Sequence, residues 1–185
     1  MTSNNFREKV IVAGFGGQGI MLAGKLLAQM AMKAGKEVTY MPAYGAEVRG
    51  GTANCAVIIA DEPIASPLVG SCDSLIAINK ASLTKFAPRI KPNGLLIMNS
   101  SLIDRQPVLD ETINIVAVPA SELAVELGNL KAANMVAVGA YLGKKGIFGP
   151  VDAANCLADV LAKRYHKTLP VNTEALRRGA EFVRK

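Results

Sequence analysis

Two glycine-rich stretches carry the residues best able to do chemistry. Gly14-Phe15-Gly16-Gly17-Gln18-Gly19 satisfies G-x-G-x-x-G, directly after an apolar β-branched run and directly before a helical pattern. Glycines placed there let the chain turn sharply and bring backbone N–H groups close to phosphate at the positive end of a helix. A tight strand-to-helix turn without a ligand is the competing reading. About thirty residues further on, Arg49-Gly50-Gly51 joins a cation to two residues that allow close approach of the backbone. A guanidinium makes charge-assisted, bidentate bonds to anions, worth about 1.5–3 kcal/mol. Its bland alternative is an ion pair with Glu47 or a contact to a neighbouring subunit. Thr52 and Asn54 offer short polar contacts at the mouth of the next strand, and Tyr44 either touches a ligand or packs on a partner.

Two familiar nucleotide motifs fail on inspection. A dinucleotide site needs an acidic residue at the end of the second strand to take the ribose hydroxyls. That strand ends Tyr40-Met41-Pro42, and Glu37 stands at its beginning. Gly19-Ile-Met-Leu-Ala-Gly24-Lys25-Leu26 approaches a Walker A loop, but Leu26 occupies the place of the Mg²⁺-binding hydroxyl. The intervening residues are apolar helix formers, so Lys25 reads as a helix surface residue.

The remaining reactive side chains are sparse. Cys55, Cys72 and Cys156 lie far apart and form no C-x-x-C, which gives neither a disulfide framework nor an iron–sulfur or zinc site. Cys55 reads as a small core residue within a strand. The single histidine, His166, sits in a basic carboxyl-terminal segment and reads as a surface residue. No catalytic residue and no metal site are therefore assigned to this chain.

These residues are carried by alternating elements. Strands are expected at 9–14, 38–41, 53–60, 74–79, 95–99 and 113–118, and helices at 20–34, 83–90, 120–127, 132–143, 151–165 and 173–183. Strands alternating with helices predict an α/β fold: one domain over residues 1–185, a mostly parallel, Rossmann-like sheet with helices on both faces. The helix at 132–143 is apolar on nearly every side and must be buried all round, either inside its own domain or against another chain.

Composition narrows the classes. Of 185 residues, 50% are hydrophobic and 5% aromatic, so the core must come from Val, Ile, Leu, Ala and Met. The net charge of +6 is spread over separate elements, without the basic stripe and stacking aromatics that nucleic acid requires. The apolar run Ile20 to Met32 is interrupted by Lys25 and Gln29 and is too short to span a bilayer. The polar amino terminus carries no secretory signal, and a reducing cytoplasm is the expected address.

Three segments together resemble the gamma subunit of the 2-oxoacid:ferredoxin oxidoreductases: Val12-Ala-Gly-Phe-Gly-Gly-Gln-Gly19, Tyr44-Gly-Ala-Glu-Val-Arg-Gly-Gly-Thr-Ala-Asn-Cys55 and Gly94-Leu-Leu-Ile-Met-Asn-Ser-Ser101. Asn134-Met-Val-Ala-Val-Gly-Ala-Tyr141 is similar to the family as well. The resemblance implies a multi-subunit enzyme that converts a 2-oxoacid, coenzyme A and oxidised ferredoxin to acyl-CoA, CO2 and reduced ferredoxin. It implies alpha, beta and delta-type partner subunits, on which thiamine diphosphate, Mg²⁺ and the 4Fe–4S clusters are bound, and contact with ferredoxin through the complex. For this chain it implies a share in binding coenzyme A and in assembly, at Gly16, Gly17, Gln18, Gly19, Tyr44, Arg49, Gly50, Gly51, Thr52 and Asn54. Among the branches, 2-oxoglutarate is preferred over pyruvate and branched-chain substrates. The indolepyruvate branch and a stand-alone nucleotide-binding protein are the alternatives, and dimerisation of the isolated chain stays open.

Overall fold

The computed structural model describes residues 5–44 and 52–184. The glycine loop lies between β1 (Arg7–Phe15) and α1 (Ile20–Lys33). β2 (Glu37–Ala43) and β3 (Thr52–Ala60) follow, then β4 (Cys72–Ala77), α2 (Lys80–Phe86) and β5 (Ile90–Asn99). The rest is β6 (Asn114–Val118), α3 (Ala120–Glu126), α4 (Ala133–Lys145), α5 (Pro150–Val160) and α6 (Leu169–Phe182).

The strands form one six-stranded sheet in the order β2-β3-β1-β4-β5-β6. β1–β4, β4–β5 and β5–β6 pair in parallel, whereas β3 runs against both of its neighbours, β1 and β2. The sheet is thus mostly parallel with one reversed strand. Helices cover both faces, unequally. Val10, Val12, Cys55 and Val57 point to the face packed by α1 and α3–α6, while Ile11, Ala13 and Ile58 point to the face packed by α2. Both faces are apolar, which is why β1 and β4 read as continuous hydrophobic runs rather than alternating ones.

Several boundaries differ from the sequence reading. β2 continues through Pro42 to Ala43, because it is an edge strand and a missing N–H there costs no central ladder. β5 begins at Ile90, and Lys91-Pro92-Asn93-Gly94 is absorbed where Cys72 pairs with Ile90 but Ser74 with Leu95. Those turn-forming residues make a bulge inside a strand rather than a helix end. The long helix expected at 151–165 stops at Val160, and a 3-10 segment, Lys163–Thr168, leads into α6, which starts at Leu169 with Pro170 in its first turn.

α4 is buried from Ala133 through Leu142 by its own chain, chiefly by α6 and the sheet. It is the central helix of the domain. The two helices meet backbone to backbone: a Cβ on Gly139 would drive into the carbonyl of Leu176, and one on Gly179 into that of Val136. Far from the glycine loop, at the start of β1, Glu8 is 4% exposed. Its carboxylate accepts from Ser74 Oγ at 2.6 Å and Tyr141 Oη at 3.4 Å, and pairs with Lys145 Nζ at 2.9 Å. Burial, with Glu8 beside it, pushes the Tyr141 phenol well above its usual range.

Candidate functional site

The glycine loop is closed from within. Phe15 N–H donates to Gln18 Oε1 at 2.7 Å, and Gln18 N–H donates back to Phe15 O at 3.2 Å. Gly17 and Gly19 sit at φ 89° and 72°, in the left-handed region that glycine enters without strain. A Cβ at Gly19 would in addition strike the side chain of Asn134. Asn134, 3% exposed in the first turn of α4, donates through Nδ2 to Gly19 O at 2.9 Å. Gln18 Oε1 also accepts from Asn79 Nδ2 at 3.0 Å, while Asn79 Oδ1 caps α2 by accepting from Ser82 N–H at 2.9 Å.

This crossing lies where β1 sends its helix to one face of the sheet and β4 sends its helix to the other. Such a switch point opens a crevice beyond the carboxyl ends of the strands, the usual ligand site of open α/β sheets.

A cavity of about 440 Å³ occupies the crevice. One wall is Gly16, Gly17, Gly19 and the first turn of α1, Ile20 to Leu22. The first helical bond of α1 is Ala23 N–H to Gly19 O, so the N–H groups of Ile20, Met21 and Leu22 have no partner within the helix. Gly19 offers no side-chain cap, and no acidic residue stands in the first turn. The opposite wall brings Lys131, Asn134, Tyr165 and Asn172. Lys131 is exposed and has no ion pair among the described residues. Asn172 is 6% exposed and donates to Thr168 O at 2.9 Å, which leaves its Oδ1 without a partner among the described residues. The N–H groups and positive dipole end of α1 thus stand on one side of the cavity and Lys131 on the other, with Asn134, Asn172, Tyr44 and Tyr165 beside them.

A second cavity of about 240 Å³ shares Gly17, Lys131 and Asn134 with the first. Its remaining wall is mainly apolar, with Gln18 and Ser121 as the polar exceptions. No carboxylate, imidazole or thiol lines either cavity among the described residues. Cys55 lies just behind, fully buried, its thiol pushed up to about 12 by burial, and Sγ–H points to Ile20 O at 3.4 Å. Burial likewise raises the Tyr40 phenol to about 12.

The residues singled out from sequence are divided by this geometry. Gly16, Gly17, Gly19 and Tyr44 line the larger cavity, and Gln18 lines the smaller one. Thr52 and Asn54 do not join them. On β3 the odd-numbered residues Cys55, Val57 and Ile59 face α1, so Thr52 and Asn54 point to the α2 side, where Lys85 Nζ reaches Thr52 Oγ1 at 3.2 Å. Ala53, between them, meets the larger cavity instead. Arg49, Gly50 and Gly51 lie outside the described residues. His166 is half-buried, with Nε2 3.0 Å from Leu161 O. Sequence reasoning missed Lys131, Asn134, Tyr165 and Asn172; the signal available was an asparagine opening an otherwise apolar helix.

Among the described residues no helix is long and apolar enough to cross a membrane, and no group of three or more His, Cys, Asp or Glu is placed to hold a metal ion.

The model of the family described as pyruvate ferredoxin/flavodoxin oxidoreductase matches residues 9–182. Ketoisovalerate oxidoreductase subunit VorA of Methanothermobacter marburgensis is 36% identical over 97% of this chain, which spans 37% of that protein's length. 2-Oxoglutarate synthase subunit KorC of Methanocaldococcus jannaschii is 31% identical, with 97% and 95% of the two chains aligned. Indolepyruvate oxidoreductase subunit IorB of Archaeoglobus fulgidus is 30% identical, with 94% of each chain aligned. Among solved structures, the gamma subunit of a keto/oxoacid ferredoxin oxidoreductase from Geobacter sulfurreducens superposes with a TM-score of 0.80 at 28% identity, covering 95% of this chain and 98% of that one. The 2-oxoglutarate:ferredoxin oxidoreductase of Magnetococcus marinus, solved with 2-oxoglutarate, coenzyme A and succinyl-CoA bound, gives 0.81 at 27% identity over 96% of this chain and 31% of that one.

Proposed function

Because the chain belongs to the pyruvate ferredoxin/flavodoxin oxidoreductase family, we propose that it is the coenzyme-A-binding gamma subunit of a 2-oxoacid:ferredoxin oxidoreductase. The complex would convert a 2-oxoacid, coenzyme A and oxidised ferredoxin to acyl-CoA, CO2 and reduced ferredoxin. The observation that carries the reading is the uncapped first turn of α1, whose N–H groups, unpaired among the described residues, open into the 440 Å³ cavity opposite Lys131. Coenzyme A is a polyanion, and its phosphates need N–H donors and cations in such an arrangement.

Thiamine diphosphate supplies the electron sink for decarboxylation, and iron–sulfur clusters carry the electrons. The donor set here does not suit a cluster: Cys55, Cys72 and Cys156 are each buried and stand in separate elements. We assign those groups to alpha, beta and delta-type partners. This chain's own task is to hold and orient the acyl acceptor, excluding water with the apolar first turn of α1 while Gly19 stays pinned by Asn134.

We carry 2-oxoglutarate forward as substrate, supported by the KorC relatives of matching length. Branched-chain 2-oxoacids are the second reading, favoured by the higher identity to VorA. The test is anaerobic purification of the tagged chain with its native partners, followed by coenzyme-A-dependent viologen reduction over a panel of 2-oxoacids. Turnover by 2-oxoglutarate well above the other acids supports the assignment; a solitary chain with bound nucleotide and no such activity sinks it.

A further inference from the structure

We propose that the smaller cavity seats the uncharged, amide-bearing arm of coenzyme A, while the larger cavity takes its nucleotide end. The proposal rests on the coenzyme A reading above and adds a second subsite with its own chemistry.

The two cavities share Gly17, Lys131 and Asn134 and differ in what they offer. The larger has backbone N–H groups at the α1 terminus, unpaired among the described residues, for phosphate. It also has the unpartnered Asn172 Oδ1 as an acceptor for an exocyclic amine. The smaller is walled mostly by Ile78, Leu102, Leu130 and Ala133, an apolar surface that would strip most of the water from a phosphate.

Its polar groups are donors with known orientation. A backbone N–H can only donate, so the bond from Phe15 fixes Gln18 Oε1 toward the loop and turns the Gln18 NH₂ away from it. That NH₂ donates to nothing among the described residues. Ser121 Oγ accepts from Asn99 Nδ2 at 2.9 Å, which leaves its own proton to donate. Two donors between apolar walls match a slender chain whose amide carbonyls are spaced by methylenes. Lys131, bordering both cavities, stands where the phosphates join that arm.

The test uses the assembled oxidoreductase carrying variants of this chain. It compares coenzyme A with adenosine 3′,5′-bisphosphate, which has the nucleotide end and no arm. Ala133→Leu fills the smaller cavity, and Ser121→Ala removes one donor with little change of shape. The expected result for Ala133→Leu is about tenfold or more weaker coenzyme A binding, with the bisphosphate within about twofold of wild type. Ser121→Ala shows the same selectivity at about three- to tenfold, and decides the matter alone if Ala133→Leu does not assemble. Equal losses for both ligands, or undiminished coenzyme A affinity, overturn the two-cavity placement. If Lys131→Ala also leaves both affinities unchanged, the coenzyme A reading itself fails.

Discussion

Asn134 Nδ2 holds the carbonyl of Gly19 at 2.9 Å, across 115 residues of chain. The bond joins the last residue of the glycine loop to the first turn of the central helix. It helps to fix the direction in which the α1 terminus opens.

Asn134→Ala is therefore expected to cost about 1–3 kcal/mol, because the Gly19 carbonyl keeps only its bond from Ala23 N–H and the Met135 N–H, 2.9 Å from Asn134 Oδ1, loses its side-chain partner. Thermal unfolding should fall by several degrees for a chain of this size. The apparent KM for coenzyme A should rise in the assembled enzyme as the loop loosens. A full loss of stability with an unchanged KM would show that the bond serves the fold alone.

Lys131→Ala should raise the KM for coenzyme A by about ten- to a hundredfold, the equivalent of one charge-assisted hydrogen bond. Arg49→Ala carries the same expectation from its place in the sequence. Thiamine-dependent decarboxylation, measured without coenzyme A, should stay largely intact in both. Steady-state viologen assays at two ionic strengths check this, since the exposed lysine must also weaken with salt.

Gly179→Ala should destabilise by more than about 2 kcal/mol, although alanine outranks glycine in any isolated helix. The added methyl would press on the Val136 carbonyl, which belongs to backbone and cannot move aside. Denaturant unfolding of the purified chain gives the sign directly. A stabilised Gly179→Ala would mean that α4 and α6 stand further apart than described.

Alkaline pH should weaken the fold through its thiols. Burial raises Cys55 and Cys72 from 9.0 to about 12. The native state therefore keeps protons that the unfolded state sheds, and stability is full below pH 9 and declines from there toward pH 12. Urea midpoints between pH 8 and pH 11 should slope downward, and Cys55→Ala should flatten the slope. A midpoint independent of pH over that window would contradict the buried neutral thiols.

The parts of the site that could be read from sequence are those made by neighbouring residues. Gly17 and Gly19 take positive φ because the turn between β1 and α1 demands it, and that turn is spelled out within six residues. The facing wall could not be read this way. Lys131, Asn134 and Asn172 come to the cavity beside the glycine loop only through the packing of α6 on α4 and of α4 on the sheet. Thr52 and Asn54 went to the other face for a related reason, since the parity of a strand depends on its register and not on its composition. The Lys91–Gly94 stretch looked like a helix end because turn residues also serve bulges.

The reversal of β3 has a further effect. Phe15 pairs with Thr52, and Ala43 with Asn54, so the end of β2 and the start of β3 sit beside the end of β1. A third strand parallel to the first would carry Thr52 to the far rim of the sheet, about 30 Å away at 3.3 Å per residue. One inverted hairpin thus folds two remote stretches of the gene product onto a common rim. The same hairpin makes that rim sensitive to insertions: a one-residue slip in β3 would swing the Asn54 amide toward the α1 cavity and withdraw the methyl of Ala53, changing the pocket's polarity without altering a single side chain.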